Sequence, residues 1–402
     1  MDVNSLFELD RLAQDEVRTF SQRRAVWDVL AGMPARPFVA LVGPRGTGKT
    51  VLLRQLRTQH DDALYVSADT LERDDDLFEL IKTLYQSYGI NRFFIDEIHF
   101  VRSFAGSLKR IFDFLPVAIV FTSSVAAALA SSAWDLARRV ITVRLWPFSF
   151  REYLRFTDGV DLEPLNVATL LGDQLPRRHL RAGSSFSRYL TGGLYPFMLQ
   201  PGTDMSLFAS ILTKIIESDI PSVHPDISIE ETRRLQDVVR FVGRAGIDGV
   251  NYSSVGKNLG ITKYKAGQYL AYLEECFVVH RVMPRGTNVL KPKVMLQLPF
   301  RLLFQPIDQA IGALREEFFV LAMRMHDCAF DYLKSTRGAK TPDYLITVDG
   351  IDVVVEIGGA GKGRTQFKDV TYDRKLVLYD DHGGSGRMAA GERLPLYLLG
   401  FS

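Results

Sequence analysis

Residues 43–50 read Gly-Pro-Arg-Gly-Thr-Gly-Lys-Thr, after an apolar run, Pro37-Phe38-Val39-Ala40-Leu41-Val42, and before a helical pattern, Val51-Leu52-Leu53-Arg54-Gln55-Leu56. Strand, glycine-rich turn and helix in this order are the setting of a P-loop. Gly43, Gly46 and Gly48 free the backbone to wrap phosphates with N–H groups, and the helix starting near Lys49 adds its positive end. Pro44, Arg45, Thr47 and Val51 complete the nucleotide-facing segment. Lys49 is expected to reach the β- and γ-phosphates, and Thr50 to hold Mg²⁺ through its hydroxyl, so ATP and Mg²⁺ are the expected cofactors.

A second motif agrees with the first. Asn91-Arg92-Phe93-Phe94-Ile95-Asp96-Glu97-Ile98-His99 is an apolar strand ending in two acids. It suits a Walker B element, with Asp96 as metal ligand and Glu97 polarising the attacking water. The strand Ala118-Ile119-Val120-Phe121 runs into Thr122-Ser123-Ser124. Thr122 or Ser123 stands where a polar residue would sense the γ-phosphate, and either could instead cap the following stretch, Val125–Ala130. Arg138 and Arg139 precede the last strand of this region; either could serve as an arginine finger supplied to a neighbouring subunit, or both form a solvated basic turn.

At 402 residues, two or three domains are expected. The formal net charge of +2 carries no global sign of a polyanion partner, so any basic surface must be local. Cys276 and Cys328 stand in apolar surroundings and read as buried thiols, not a disulfide framework. The start, Met1-Asp2-Val3-Asn4, is polar and acidic, unlike a secretory leader, and the apolar runs are strand-length. A soluble, cytoplasmic protein without a membrane partner is expected.

Along the chain, Leu6, Leu9, Leu12, Val17 and Phe20 suggest an apolar helix face within residues 1–35. Strands are expected at Phe38–Val42, Ala63–Ser67, Phe93–Asp96, Val117–Thr122 and Val140–Leu145, with helices at Asp76–Tyr88 and Phe104–Leu115 between them. This alternation implies an α/β domain with a mostly parallel sheet over residues 1–155. Residues 156–229 read as a helical link in which Thr191-Gly192-Gly193-Leu194-Tyr195-Pro196-Phe197 makes a tight turn against a core.

Residues 230–300 change pattern. Tyr252–Leu259, the turn Gly260-Ile261-Thr262 and Lys263–Phe277 have the helix-turn-helix shape, and Val278–Val282 would be the wing strand of a winged helix. Seven basic residues between Lys257 and Lys293 face two acids, Glu274 and Glu275. Lys257, Lys263, Lys265, Gln268 and Arg281 are the candidate DNA contacts; the same fold used only for protein contacts is the alternative. Residues 301–402 read as a small mixed α/β sheet, with strands at Tyr332–Thr336, Asp343–Thr347, Asp352–Glu356, Lys375–Tyr379 and Leu396–Leu399.

These residues resemble the prokaryotic AAA+-type ATPases fused to a C-terminal domain of unknown function that combines a winged helix with a restriction-endonuclease-like fold. Besides the motifs above, the resemblance rests on Trp146-Pro147-Phe148-Ser149-Phe150-Arg151-Glu152-Tyr153, on Gly192-Gly193-Leu194, on Leu259-Gly260-Ile261-Thr262 and on Lys291-Pro292-Lys293-Val294. It implies a multidomain chain and a homo-oligomeric ring, a hexamer, in which Arg138 or Arg139 acts in trans. It also implies a nuclease-like site at Glu316, Asp343 and Glu356. There the chain departs from the pattern: Glu356-Ile357-Gly358 has glycine where a water-orienting lysine belongs. Lys362, Gln366 and Lys368 lack the spacing to replace it, so a domain that grips without cutting is expected.

The leading expectation is a Mg²⁺-dependent ATPase that binds DNA and uses hydrolysis to translocate on it or remodel it, branched junctions included. The alternatives are a nucleotide-controlled signalling or defence switch with slow hydrolysis, and an ATP-dependent nuclease.

Overall fold

A computed structural model describes residues 3–71, 76–126, 136–172, 175–286, 291–333, 341–358, 372–380 and 393–402. The chain divides into two compact units. The first holds residues 1–147, 211–228 and 275–277, and the second holds 148–210, 229–274 and 278–402. Residues 230–300 and 301–402, expected as two domains, therefore lie almost entirely in one unit.

In the first unit, β1 (Phe38–Val42), β2 (Ala63–Ser67), β3 (Arg92–Asp96), β4 (Ala118–Ser123) and β5 (Val140–Arg144) form one parallel sheet in the order β2-β3-β4-β1-β5. β1 is buried at every position, which is why it reads as an unbroken apolar run. Helices α1 (Val3–Val17), α2 (Trp27–Ala31), α3 (Lys49–Arg57), α4 (Leu77–Tyr88) and α5 (Phe104–Phe114) accompany it. One core joins Leu41, Leu52, Leu53, Tyr65, Phe94 and Leu145.

The first helix corrects an expectation. Its buried face is Leu6, Asp10, Ala13 and Val17, while Leu9, Leu12 and Phe20 are exposed. Leu6 sets a helical period that passes through Asp10. A carboxylate can go inward there because Arg57 meets it with two hydrogen bonds of 2.7 and 2.8 Å and the Tyr65 N–H donates a third of 2.8 Å.

In the second unit, the Pro-Phe-Ser-Phe-x-Glu-Tyr element has a local cause. Ser149 caps α6 (Phe150–Asp158): its hydroxyl accepts from Glu152 N at 3.2 Å and Glu152 returns a bond to Ser149 N, a capping box. The Gly192-Gly193 turn closes against this helix. Gly192 has φ 133°, and a Cβ on Gly193 would lie 2.7 Å from the Tyr153 ring. The structural reading of that turn holds.

Next come α7 (Ile229–Arg244), α8 (Tyr252–Leu259) and α9 (Lys263–Glu275), then β6 (Val279–Val282) paired antiparallel with β7 (Lys293–Leu296). Gly260 ends α8 in the left-handed region, and the Thr262 hydroxyl accepts from Lys265 N at 3.1 Å to start α9. After α10 (Ile307–Met325), strands β8 (Phe330–Tyr332), β9 (Tyr344–Val348), β10 (Ile351–Gly358), β11 (Arg374–Tyr379) and β12 (Arg393–Pro395) form a mixed sheet in the order β12-β11-β10-β9-β8. Leu396–Leu399, expected as a strand, lies in a 3₁₀ turn, Leu396–Gly400, that follows Pro395 and is buried through its apolar residues. Positions 334–336 of another expected strand lie outside the described residues, as do most of Val125–Ala130 and all of Lys362, Gln366 and Lys368.

Fully buried Arg301 fastens this unit from within. Its guanidinium pairs with buried Glu317 at 2.7 Å and donates to the carbonyls of Val242, Gly243 and Ala245 at the end of α7. Burial pushes the Glu317 carboxyl up to about 7 despite that partner.

Cys276 is buried, and burial pushes its thiol well up; Cys328, expected to be buried, is partly exposed. Among the described residues, no helix is long and apolar enough to cross a membrane.

Candidate functional site

The carboxyl ends of β1, β3 and β4 lie side by side, because β4 pairs with both β1 and β3. That edge is where ligands of open α/β sheets bind. β1 delivers the glycine-rich loop. Gly43 is pressed against the chain after β5: a Cβ there would lie 2.0 Å from the Leu145 carbonyl oxygen. Gly46 and Gly48 both have φ 86°, a conformation open to glycine at little steric cost. Buried Arg24 braces the loop from outside, donating to Thr47 O at 2.6 Å and Trp146 O at 2.9 Å. Lys49 is buried, its ammonium 2.8 Å from Gly43 O and 2.9 Å from Pro44 O, and burial lowers its pKa. Thr50 and Val51 follow it in the first turn of α3.

β3 delivers the two acids. Asp96 is buried and doubly held: Tyr65 Oη donates to Oδ2 at 3.0 Å, and Thr122 Oγ1 donates to Oδ1. Thr122 Oγ1 also accepts from Glu97 N at 2.9 Å. Thr122 thus ties the end of β4 to both acids, whereas Ser123 bonds the backbone of Val125 and contacts His99 Nδ1 at 3.3 Å. The two hydroxyls thus have different partners, Thr122 the two acids and Ser123 the Val125 backbone and His99.

Glu97 adopts φ 51°, unusual for a non-glycine and frequent at functional sites. Its Oε1 lies 3.4 Å from Arg45 Nη2 and its Oε2 lies 3.4 Å from His99 Nδ1. Burial raises the carboxyl pKa, but Lys49, His99, Arg45 and the Ser124 hydroxyl outweigh it and hold the group below the usual carboxylate range. His99 is pushed down, by burial first, and stays a neutral imidazole near pH 7. Among the described residues, Glu97 Oε2 is buried without a hydrogen-bond partner. The arrangement offers backbone amides and an ammonium to an anion. Beside them stands a carboxylate oxygen without a hydrogen-bond partner.

Tyr65, His99, Ser124, Arg24 and Asp219 are missing from the site expected on sequence grounds. Tyr65 carries a faint signal, being on the strand next to the Walker B strand. Asp219 carries none, 174 positions from Arg45, which it grips through two hydrogen bonds. Arg138 and Arg139 separate. Arg139 is engaged by Asp113 through two bonds of 3.0 Å, and Arg138 is exposed.

The candidate DNA contacts do not form one open basic surface. Lys265 is ion-paired with Glu231, Arg281 with Glu274 at 2.6 Å, and Gln268 donates to Tyr272 Oη. Lys257 and Lys263 are exposed, and between Lys263 and Lys265 Tyr264 is 83% exposed. Glu316, Asp343 and Glu356 do come together, and Lys293 joins them. Its ammonium lies 2.7 Å from Glu316 and 2.9 Å from Asp248, and a cavity of about 560 Å³ opens beside Lys293 and Asp343. Burial, then Glu316 and Glu356, push Asp343 up to about 7. Among the described residues, no group of three such side chains is arranged to hold a metal ion.

Residues 35–154 match the family described as "AAA domain". This match agrees with the P-loop and the parallel sheet that carries it. Residues 183–298, which include Asp219, α8 and α9, match a domain of unknown function, DUF8612. An uncharacterized protein of Methanocaldococcus jannaschii is 27% identical over 300 residues, an alignment covering 69% of this chain and 62% of that protein. The chain thus spans less than two thirds of the curated relative it matches. AMPPCP-bound DnaA from Aquifex aeolicus is 15% identical, with 66% of this chain and 88% of that one covered; its TM-score of 0.25 is too low to support an argument.

Proposed function

We propose that this protein is a Mg²⁺-dependent ATPase that binds DNA and uses hydrolysis to translocate on it or remodel it. The observation that carries the reading is the meeting of Lys49, Asp96 and Glu97 at the carboxyl edge of one parallel sheet. ATP fits the loop: Gly46 and Gly48 are left-handed, a backbone form that lets loop amides surround a phosphate, and Lys49 supplies the counter-charge. Thr50 and Asp96 would hold Mg²⁺, which supplies charge neutralisation at the phosphates. Glu97 Oε2 takes a proton from water as the water oxygen attacks the γ-phosphorus; the bond to the ADP oxygen breaks, and ADP and phosphate leave.

The geometry around DNA narrows the contact surface. Helix α9 behind its Thr262 cap, followed by a two-stranded hairpin, supports a winged-helix reading. Lys257, Lys263 and Tyr264 are the groups free to meet a phosphate backbone, and Lys265 and Arg281 would have to leave Glu231 and Glu274. The mixed sheet of β8–β12 supports a nuclease-like fold used as a grip, since Lys293, the amine beside Asp343, is tied to two carboxylates. A ring in which Arg138 reaches a neighbour's nucleotide is the proposed assembly, Arg139 being occupied by Asp113.

The test is ATP turnover with and without Mg²⁺ and with duplex, single-stranded and branched DNA. Several-fold acceleration by DNA is expected. Glu97→Gln should bind ATP yet lose turnover by about 10²–10⁴-fold. Wild-type turnover in Glu97→Gln would overturn the assignment, and indifference to every DNA would favour the nucleotide switch.

A further inference from the structure

Arg45 is held more firmly than a loop side chain needs for binding phosphate. Its Nε donates to Asp219 Oδ2 at 2.9 Å and its Nη2 to Asp219 Oδ1 at 2.8 Å, a fork that fixes the plane of the guanidinium. Asp219 is fully buried and comes from a helical segment, Ile215–Val223, beyond the part of the chain that matches the AAA domain. That segment nevertheless belongs to the same compact unit as the loop. Burying a carboxylate there is costly unless its partners are well placed. Besides Arg45, Ser124 Oγ donates to Asp219 Oδ2 at 3.1 Å. Arg45 also lies 3.4 Å from Glu97. A short bridge through Arg45 therefore links Asp219 to the acid at the end of β3.

The bridge through Arg45 has a direction. Nη2 is shared: it bonds Asp219 and lies 3.4 Å from Glu97 Oε1. The other oxygen, Oε2, is buried without a hydrogen-bond partner, 3.4 Å from His99 Nδ1. An arginine fork set by Asp219 thus keeps one oxygen of Glu97 on a cation and leaves the other without a hydrogen bond. A lysine could not do this, because an ammonium is a point charge without a plane.

We propose that Asp219 is a positioning residue of the hydrolytic site: it orients Arg45, and Arg45 holds the Glu97 carboxylate with Oε2 facing the attacking water. This rests on the reading of Glu97 as the group that polarises water. Without the Asp219 charge, Arg45 swings wholly onto Glu97, engages both oxygens and blunts the base. Without Arg45, Glu97 is free to turn, and Asp219 has nothing left to act through.

The experiment measures kcat and KM for ATP on the full chain for wild type, Glu97→Gln, Asp219→Asn, Arg45→Met, Arg45→Lys and the double variant Asp219→Asn/Arg45→Met. Asp219→Asn and Arg45→Lys should each lose about tenfold or more in kcat while KM stays within about threefold. The double variant should be no slower than Arg45→Met alone, because both act on one link. A residue that only supports the fold would add its loss to that of Arg45→Met. Wild-type kcat in Asp219→Asn or Arg45→Lys, or multiplying losses in the double variant, would overturn the proposal. Arg45→Lys decides the matter if Asp219→Asn does not fold. If Glu97→Gln turns over like wild type, or wild type does not turn over, the underlying reading falls and the proposal with it. If Glu97→Gln is dead and Asp219→Asn is normal, only the proposal falls.

Discussion

Adding one methyl group at Gly43 should disable the nucleotide loop and loosen the sheet end beneath it. A Cβ at this position would sit 2.0 Å from the carbonyl oxygen of Leu145 and 2.9 Å from its carbonyl carbon. Carbon and oxygen atoms in van der Waals contact are roughly 3.2 Å or more apart, so the overlap exceeds about 1 Å. Both sides of the clash are backbone, and neither can rotate away. The Leu145 N–H is bonded to Val42 O at 2.8 Å, and Gly43 O accepts the Lys49 ammonium at 2.8 Å. Relief must therefore come from moving the loop, the end of β5, or both. Overpacking of this kind costs about 1–3 kcal/mol. For a unit of this size each kcal/mol lowers the melting temperature by about 2–4 °C, so Gly43→Ala should melt about 2–12 °C early. Affinity for ATP should fall by about tenfold or more, since the displaced atoms are those that aim Lys49. Gly106→Ala is the matched control: it lies within α5 with nothing within 4 Å of its added Cβ, and it should be neutral or stabilising by about 0.5–1 kcal/mol. Thermal melts and titration with a fluorescent ATP analogue read both quantities. Wild-type melting and affinity in Gly43→Ala would refute the reasoning.

Four further outcomes are expected. Arg138→Ala should keep ATP binding and slow turnover by about 10³–10⁵ if the residue reaches a neighbour's phosphate, with partial recovery on mixing with Lys49→Ala chains. Arg139→Ala should instead cost about 0–1 kcal/mol of stability through Asp113, read by urea unfolding. Replacing Lys257 and Lys263 together by Ala should reduce the slope of log affinity for DNA against log salt by up to about two, and an unchanged slope would move the contact surface elsewhere. Asp343 is pushed up to about 7 from an ordinary 3.8, so the folded protein binds its proton more tightly than the unfolded chain. Stability from this group is therefore full at acid pH and declines as pH rises from about 4 to about 7. Urea midpoints measured across that window should decline less steeply in Asp343→Asn.

What the sequence decides by itself here is local. The loop, the apolar strands around it, Asp96 and Glu97 are legible because glycine freedom, strand burial and helix capping act between residues a few positions apart. Ser149 with Glu152, Gly260 and Thr262 are legible for the same reason. The order β2-β3-β4-β1-β5, which brings Asp96 beside the loop, is not written in any one segment. Neither is the inward turn of Asp10, which depends on Arg57 reaching it from α3. The same limit separates Lys257 and Lys263 from Lys265 and Arg281: all four are basic in sequence, but only the fold supplies Glu231 and Glu274 to neutralise two of them. Lys293 reaches Glu316 and Asp248 in the same way. Asp219 is the extreme case, an acid in an unremarkable helical stretch that meets Arg45 across 174 residues. Charge pairing acts over a few ångströms of space and takes no account of distance along the chain, so the partners of each charged group were decided only when the tertiary structure closed.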